Sequence, residues 1–196
     1  FRRTADAFAP LLPDDPARER AERLAALDAV QRAMAREEEL QQRSWALVET
    51  FDSLLFQAQV AENAPNADAM ARRLGLDRIL ADYRVPDDPM LTDAAQRMLE
   101  HVYGQAWFYH ADAFNRQGRP VRAHAMLDLA ERIFPERPWV CLARARTYVL
   151  EDRSNRAITA LRCALERGLD RAVLERDPGL APLREERAFR ELIGAR

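Results

Sequence analysis

No glycine or proline occurs between Pro16 and Pro65. A β-rich fold turns roughly every 8 to 12 residues and draws on those two residue types to do so. Their absence over so long a stretch leaves helix as the only regular structure open to it. Ala, Leu, Arg, Glu and Gln fill the gap, and all are good helix formers. Asp15 supplies a side-chain cap and Pro16 suits a first helical position, so a helix is expected to open there. Leu24, Leu27, Val30 and Met34 then keep helical spacing, and Trp45, Val48, Phe51, Leu54, Leu55 and Ala58 resume it beyond the polar run Arg36 to Glu39. The shift of apolar phase across that run favours two helices meeting near Gln41 to Ser44. The missing breaker favours one helix from about 16 to 62, and the spacing predicts the single helix.

The remaining chain carries the punctuation the first part lacks. Pro65 ends the first element, and a helical segment is expected from about Asn66 to Tyr83 with an interruption at Gly75. Val85 to Pro89 form a turn in which Asp88 and Pro89 are a second cap and first-position pair. From Met90 the apolar positions Leu91, Ala94, Ala95, Met98, Leu99, Val102, Tyr103, Ala106, Trp107, His110, Ala111 and Phe114 follow helical spacing without a break. The organisation expected is an N-terminal helical region over residues 1–89, with an irregular Pro- and Asp-rich opening at 1–15, and a second helical domain over 90–196.

Composition excludes several functions. The formal net charge is −2, so no general attraction to nucleic acid or anionic lipid is expected. All 30 cationic residues are Arg, which reads as the codon preference of a GC-rich bacterial genome. No apolar run approaches a membrane span. The opening Phe1-Arg2-Arg3-Thr4 has neither an initiator Met nor a signal-peptide core, so the chain is expected to be a piece of a longer or processed protein, from bacterial cytoplasm or periplasm. Cys141 and Cys163 read as two small buried hydrophobes. They lie on different helices of one expected hairpin, so a bridge is geometrically conceivable but is not the expectation.

A search for internal repeats finds one of 34 residues. In the copy from Gly104 to Arg137, repeat positions 4, 8, 11, 15, 20, 24, 27 and 32 hold Trp107, Ala111, Phe114, Gly118, Ala123, Leu127, Ala130 and Pro135. In the copy from Pro138 to Arg171 they hold Cys141, Ala145, Tyr148, Asp152, Ala157, Leu161, Ala164 and Leu169. Small side chains at 8, 20 and 27 let two helix backbones approach, while the aromatic at 11 and the aliphatic at 24 fill the space between them. With these residues the stretch resembles the tetratricopeptide repeat family. The first copy is close to the family pattern, and the second departs at positions 4, 15 and 32. The tail after Asp177, with Leu180, Leu183, Phe189, Leu192 and Ile193, looks like the closing segment that follows the last such repeat and covers its apolar face. The resemblance covers residues 104–193, and no third copy lies upstream in register. The fold class it implies is all-α: antiparallel helical hairpins of an α-α superhelix, preceded by long N-terminal helices.

The resemblance further implies a concave, partner-binding groove lined by the first helix of each hairpin. Mapped by repeat position, its lining is Gln105, Phe108, Tyr109, Asp112 and Arg116 in the first copy, and Trp139, Leu142, Ala143 and Arg146 in the second. Exposed aromatics beside Arg suit a protein-binding patch. The alternative is that Phe108 and Trp139 pack against the N-terminal helices, which then fill the groove. The family's carboxylate-clamp version is unmatched, since the chain has no Lys.

Motifs of chemistry are few. His101, His110 and His124 form no metal-binding pattern, and Ser44, Ser53 and Ser154 sit in no nucleophile turn. Ala69 to Asp77 faintly echoes the first helix and turn of a helix-turn-helix, but Arg78 to Tyr83 is too short and apolar for a recognition helix. No catalytic residue, metal or cofactor is expected. The expected function is a non-enzymatic scaffold that binds another protein or a peptide. The alternative is an extracytoplasmic or regulatory sensory domain of a larger bacterial protein, such as a kinase or membrane regulator. The amphipathic N-terminal pattern is satisfied equally by a homodimer and by self-burial.

Overall fold

The computed structural model describes residues 16–60, 66–85 and 88–194. The chain is all-α: the described residues contain helices and turns and no strand. The expected opening at 1–15, the Asp15 cap, the Pro65 terminator and the Pro86-Asp87 part of the turn fall outside the described residues, as do the side chains of Leu55 and Ala58. Two compact units divide between Arg43 and Ser44.

Helix α1 runs from Pro16 to Val60 as one element of 45 residues, so the breaker-free stretch outweighs the change of apolar phase. In the first unit every residue from Arg20 to Glu39 is exposed, and Leu40 is buried. Leu24, Leu27, Val30 and Met34, the apolar series of the sequence, are between 53% and 65% exposed. Ion pairs at i,i+4 spacing, Arg18–Glu22 and Arg23–Glu19, line this portion; such exposed pairs add little each.

In the second unit the end of α1 buries Leu47, Phe51 and Leu54, while Trp45 stays exposed. Helices α2 (Ala67–Leu74) and α3 (Leu76–Tyr83) meet at Gly75, whose φ of 65° lies in the left-handed region that glycine enters without strain. Asn66 caps α2 by accepting from the Ala69 N–H at 3.0 Å, and Asp88 caps α4 (Pro89–Gly104) by accepting from the Leu91 N–H at 3.1 Å. Helix α4 continues into a π-helical stretch, Gln105–His110, and then into α5, Ala111–Arg116. The widened winding is visible where the Ala111 N–H bonds back to the Ala106 carbonyl.

Four further elements follow: α6 (Pro120–Ile133), α7 (Pro138–Leu150), α8 (Ser154–Glu166) and α9 (Arg171–Arg176), then a 3-10 segment, Pro178–Leu183, and α10, Arg187–Ile193. The turns before α6 and α8 are alike at 34-residue spacing. Gly118 and Asp152 both take a left-handed φ, 67° and 58°. Arg119 N–H donates to the Phe114 carbonyl and Arg153 N–H to the Tyr148 carbonyl, each at 2.9 Å. Asp is among the few non-glycine residues that visit this conformation readily. Ala111, Ala123, Leu127 and Ala130 are fully buried, as are Ala145, Ala157, Leu161 and Ala164 one repeat later. Leu180, Leu183 and Phe189 from the tail join the core of α7 and α8, together with Leu174.

Cys141 on α7 and Cys163 on α8 form a disulfide with a Cα–Cα distance of 6.0 Å. This differs from the expected pair of thiols. Residue 141 faces α8 at the height of residue 163, and the small side chains around them bring the two backbones within bridging reach.

Candidate functional site

One cavity of about 520 Å³ lies between the π-helical stretch with α5 on one side and α7 on the other. Phe108, Tyr109, Asp112, Arg116, Ala143 and Arg146, all placed in the groove by repeat position, line it together. Trp107, Ala111, Asn115, Leu150 and Gly179 complete the wall. Among the described residues, none of α1 is in the lining. Phe51 of α1 instead reaches His110 from the side, ring edge to ring face at 6.2 Å.

The other three residues of the expected groove lie elsewhere. Trp139 stacks on Trp107, centroids 6.0 Å apart and planes 15° from parallel, and so backs the cavity without lining it. Leu142 is buried in the core of α7 and α8. Gln105, at the start of the π stretch, is partly buried away from the lining.

Phe108 and Tyr109 are 56% and 57% exposed, and their rings meet edge to face at 5.0 Å. Both side chains lie on the π-helical stretch and line the cavity together. Leu150, also exposed, faces them from the end of α7. The charges of the cavity are matched internally. Arg116 bonds Asp112 at 2.8 Å, and the Arg146 guanidinium grips Asp177, its Nε donating at 2.8 Å. Asp177 is almost fully buried and also accepts from the Gly179 N–H at 2.8 Å, capping the 3-10 segment. Gly179 fits closely at this spot: a Cβ there would stand 3.1 Å from Arg146 Cγ and 3.2 Å from an Asp177 carboxylate oxygen, so those side chains would have to give by a few tenths of an ångström. Deeper in the wall, Asn115 Nδ2 donates to Thr147 Oγ1 at 2.9 Å, and that hydroxyl donates to the Ala143 carbonyl at 3.1 Å.

Titratable groups near the cavity show modest perturbation. Burial holds the His110 imidazole below its ordinary pKa, opposed by the Asp52 carboxylate. Tyr103, below Trp107 in the aromatic cluster, is pushed up to about 12 by burial, against the pull of Arg137. Arg137 lies over the Phe134 ring at 3.9 Å and makes a two-pronged pair with Glu100, which raises its pKa. Tyr103 and Arg137 lie in one stacked and ion-paired cluster, and His110 lies apart from it against Phe51. His124, remote from the cavity, contacts Glu151 at 3.0 Å and rests against the Tyr148 ring.

Among the described residues no group of three or more His, Cys, Asp or Glu is placed to hold a metal ion, and no helix is long and apolar enough to cross a membrane. No protein-family model, curated protein or solved structure matches the chain.

Proposed function

We propose that the chain is a non-enzymatic scaffold of tetratricopeptide type that captures a peptide segment of another protein in the cavity between α5 and α7. The observation that carries this reading is the pair Phe108 and Tyr109, left exposed at the wall of a cavity whose two arginines are already neutralised by Asp112 and Asp177. Exposed aromatics on a concave surface are the usual anchors of protein recognition. A site with its charges paired internally favours an occupant that brings apolar or aromatic side chains over one that brings a charge. The repeat reading is supported by the two matching turns at Gly118 and Asp152 and by the matching buried small residues 34 positions apart.

Selection from a random peptide library on the whole protein tests this. Selected peptides are expected to share apolar or aromatic anchors, and Phe108→Ala with Tyr109→Ala is expected to weaken their binding roughly 30-fold or more. Both side chains are exposed, so the double variant should keep its fold. Equal binding by the double variant would remove the cavity as the site.

One observation favours a second reading, an extracytoplasmic domain of a larger protein. The Cys141–Cys163 disulfide belongs with an oxidising compartment, since the reducing cytosol of most cells does not keep such bonds. Alkylation of protein taken directly from cells of the source, followed by mass measurement, separates the two. Two alkylated cysteines without prior reduction would count against this reading.

A further inference from the structure

The first unit leaves an apolar stripe uncovered on a helix that has little reason to persist alone. Isolated helices in water are marginal, and most helical stability in proteins comes from packing an apolar face. Yet Leu24, Leu27, Val30 and Met34 all lie more than half exposed on α1. The residues along this side fall on a coiled-coil seam. Arg20, Leu24, Leu27, Gln31, Met34 and Glu38 alternate at spacings of four and three, with Val30 widening the stripe.

The seam is complementary to itself only when reversed. Laid antiparallel against a second copy, Leu24 faces Met34, Leu27 faces Gln31 and Arg20 faces Glu38. The flanks lean the same way: residues 18–23 hold three Arg and two Glu, with Arg18 and Arg23 already paired to Glu22 and Glu19, whereas residues 36–39 hold one Arg and three Glu. A parallel pair would set Arg20 against Arg20 and the three-glutamate run against itself, placing like charges side by side. Gln31, set against Leu27 of the second copy, is a polar seam residue that lowers the stability of the coil.

We infer that residues 20–38 of α1 form an antiparallel two-stranded coil with a second copy of this chain, and that the arginine and glutamate ends of the seam set its direction. The seam spans roughly 27 Å, 18 steps of about 1.5 Å. So short a seam, with Gln31 against Leu27 in two of its layers, makes a reversible dimer, half-formed at roughly tens of micromolar chain. This inference does not depend on the cavity between α5 and α7.

Sedimentation equilibrium on the whole chain, from about 1 to 200 µM, tests it. The expected mass rises from 22.5 kDa toward twice that value. Leu27→Glu with Met34→Glu is expected to hold the chain as a monomer throughout, with the circular dichroism of the rest of the protein retained. Arg20→Glu and Glu38→Arg are each expected to weaken the dimer about 10-fold, and the two together to restore it to within about 3-fold. That rescue is specific to the antiparallel arrangement, because a parallel pair keeps its like-charge contacts in the double variant. A monomer up to 200 µM, a dimer indifferent to the Leu27 and Met34 changes, or charge reversals that add without rescue would each overturn the inference.

Discussion

Asp177 shows how one buried residue ties the wall of the cavity to the tail of the chain. Its carboxylate accepts from the Gly179 N–H and holds Arg146, so removing it strands a half-buried guanidinium and uncaps a turn at once. Asp177→Ala is expected to lower stability by about 1–3 kcal/mol in urea unfolding. None of this was legible beforehand. Arg146 read as a groove residue from its repeat position, but its partner lies 31 residues away in a segment assigned only a covering role. His110 bears on pH. Its folded pKa is depressed by burial, so the unfolded chain takes up a proton at higher pH than the folded one. Stability from this group is complete above about pH 6.5 and falls as pH drops below that value toward the depressed folded pKa. The melting temperature is expected to fall between about pH 7.5 and 5.5, and His110→Phe is expected to flatten that slope.

Helix existence, type and most punctuation could be read from the residues, since each rests on local chemistry. The glycine break at 75, the Asp88 cap and the unbroken course of α1 follow from backbone freedom, side-chain acceptors and the absence of breakers. Which face of a helix is covered is a different matter. Leu24 to Met34 carry the same spacing as the buried positions of other elements, and nothing local separates them from Leu47, Phe51 and Leu54. The site shows the same division. Repeat position grouped Phe108, Tyr109, Asp112, Arg116, Ala143 and Arg146, which line one cavity, yet Gly179 joins it through packing of a distant segment and Leu150 from the far end of α7. The turns offer a test at this scale. Gly118→Ala places a Cβ in the left-handed region and is expected to cost about 1 kcal/mol, whereas Asp152→Gly is expected to be neutral or slightly stabilising.

Across the molecule, the disulfide is the one covalent link between separate helices of the described chain. Its cysteines are 22 residues apart, and loops of that order are worth about 2–4 kcal/mol to a folded state. Reduction is expected to lower the thermal midpoint by several degrees without abolishing the helical signal, as followed by circular dichroism with and without reductant. Sequence reasoning favoured thiols because buried free cysteines are common, and facing position across two helices is a property only the packed structure supplies. The π-helical stretch carries a last consequence. An ordinary helix that loses a residue rotates everything downstream by about 100°, but Gln105–His110 holds a spare residue in its loosened winding. Shortening the stretch by one would therefore tighten it to regular α geometry, leave α4 and α5 in phase with their neighbours, and re-aim the aromatic pair within the wall. Evolution or an engineer could in this way re-aim the aromatic wall by a single deletion while sparing the architecture beneath it.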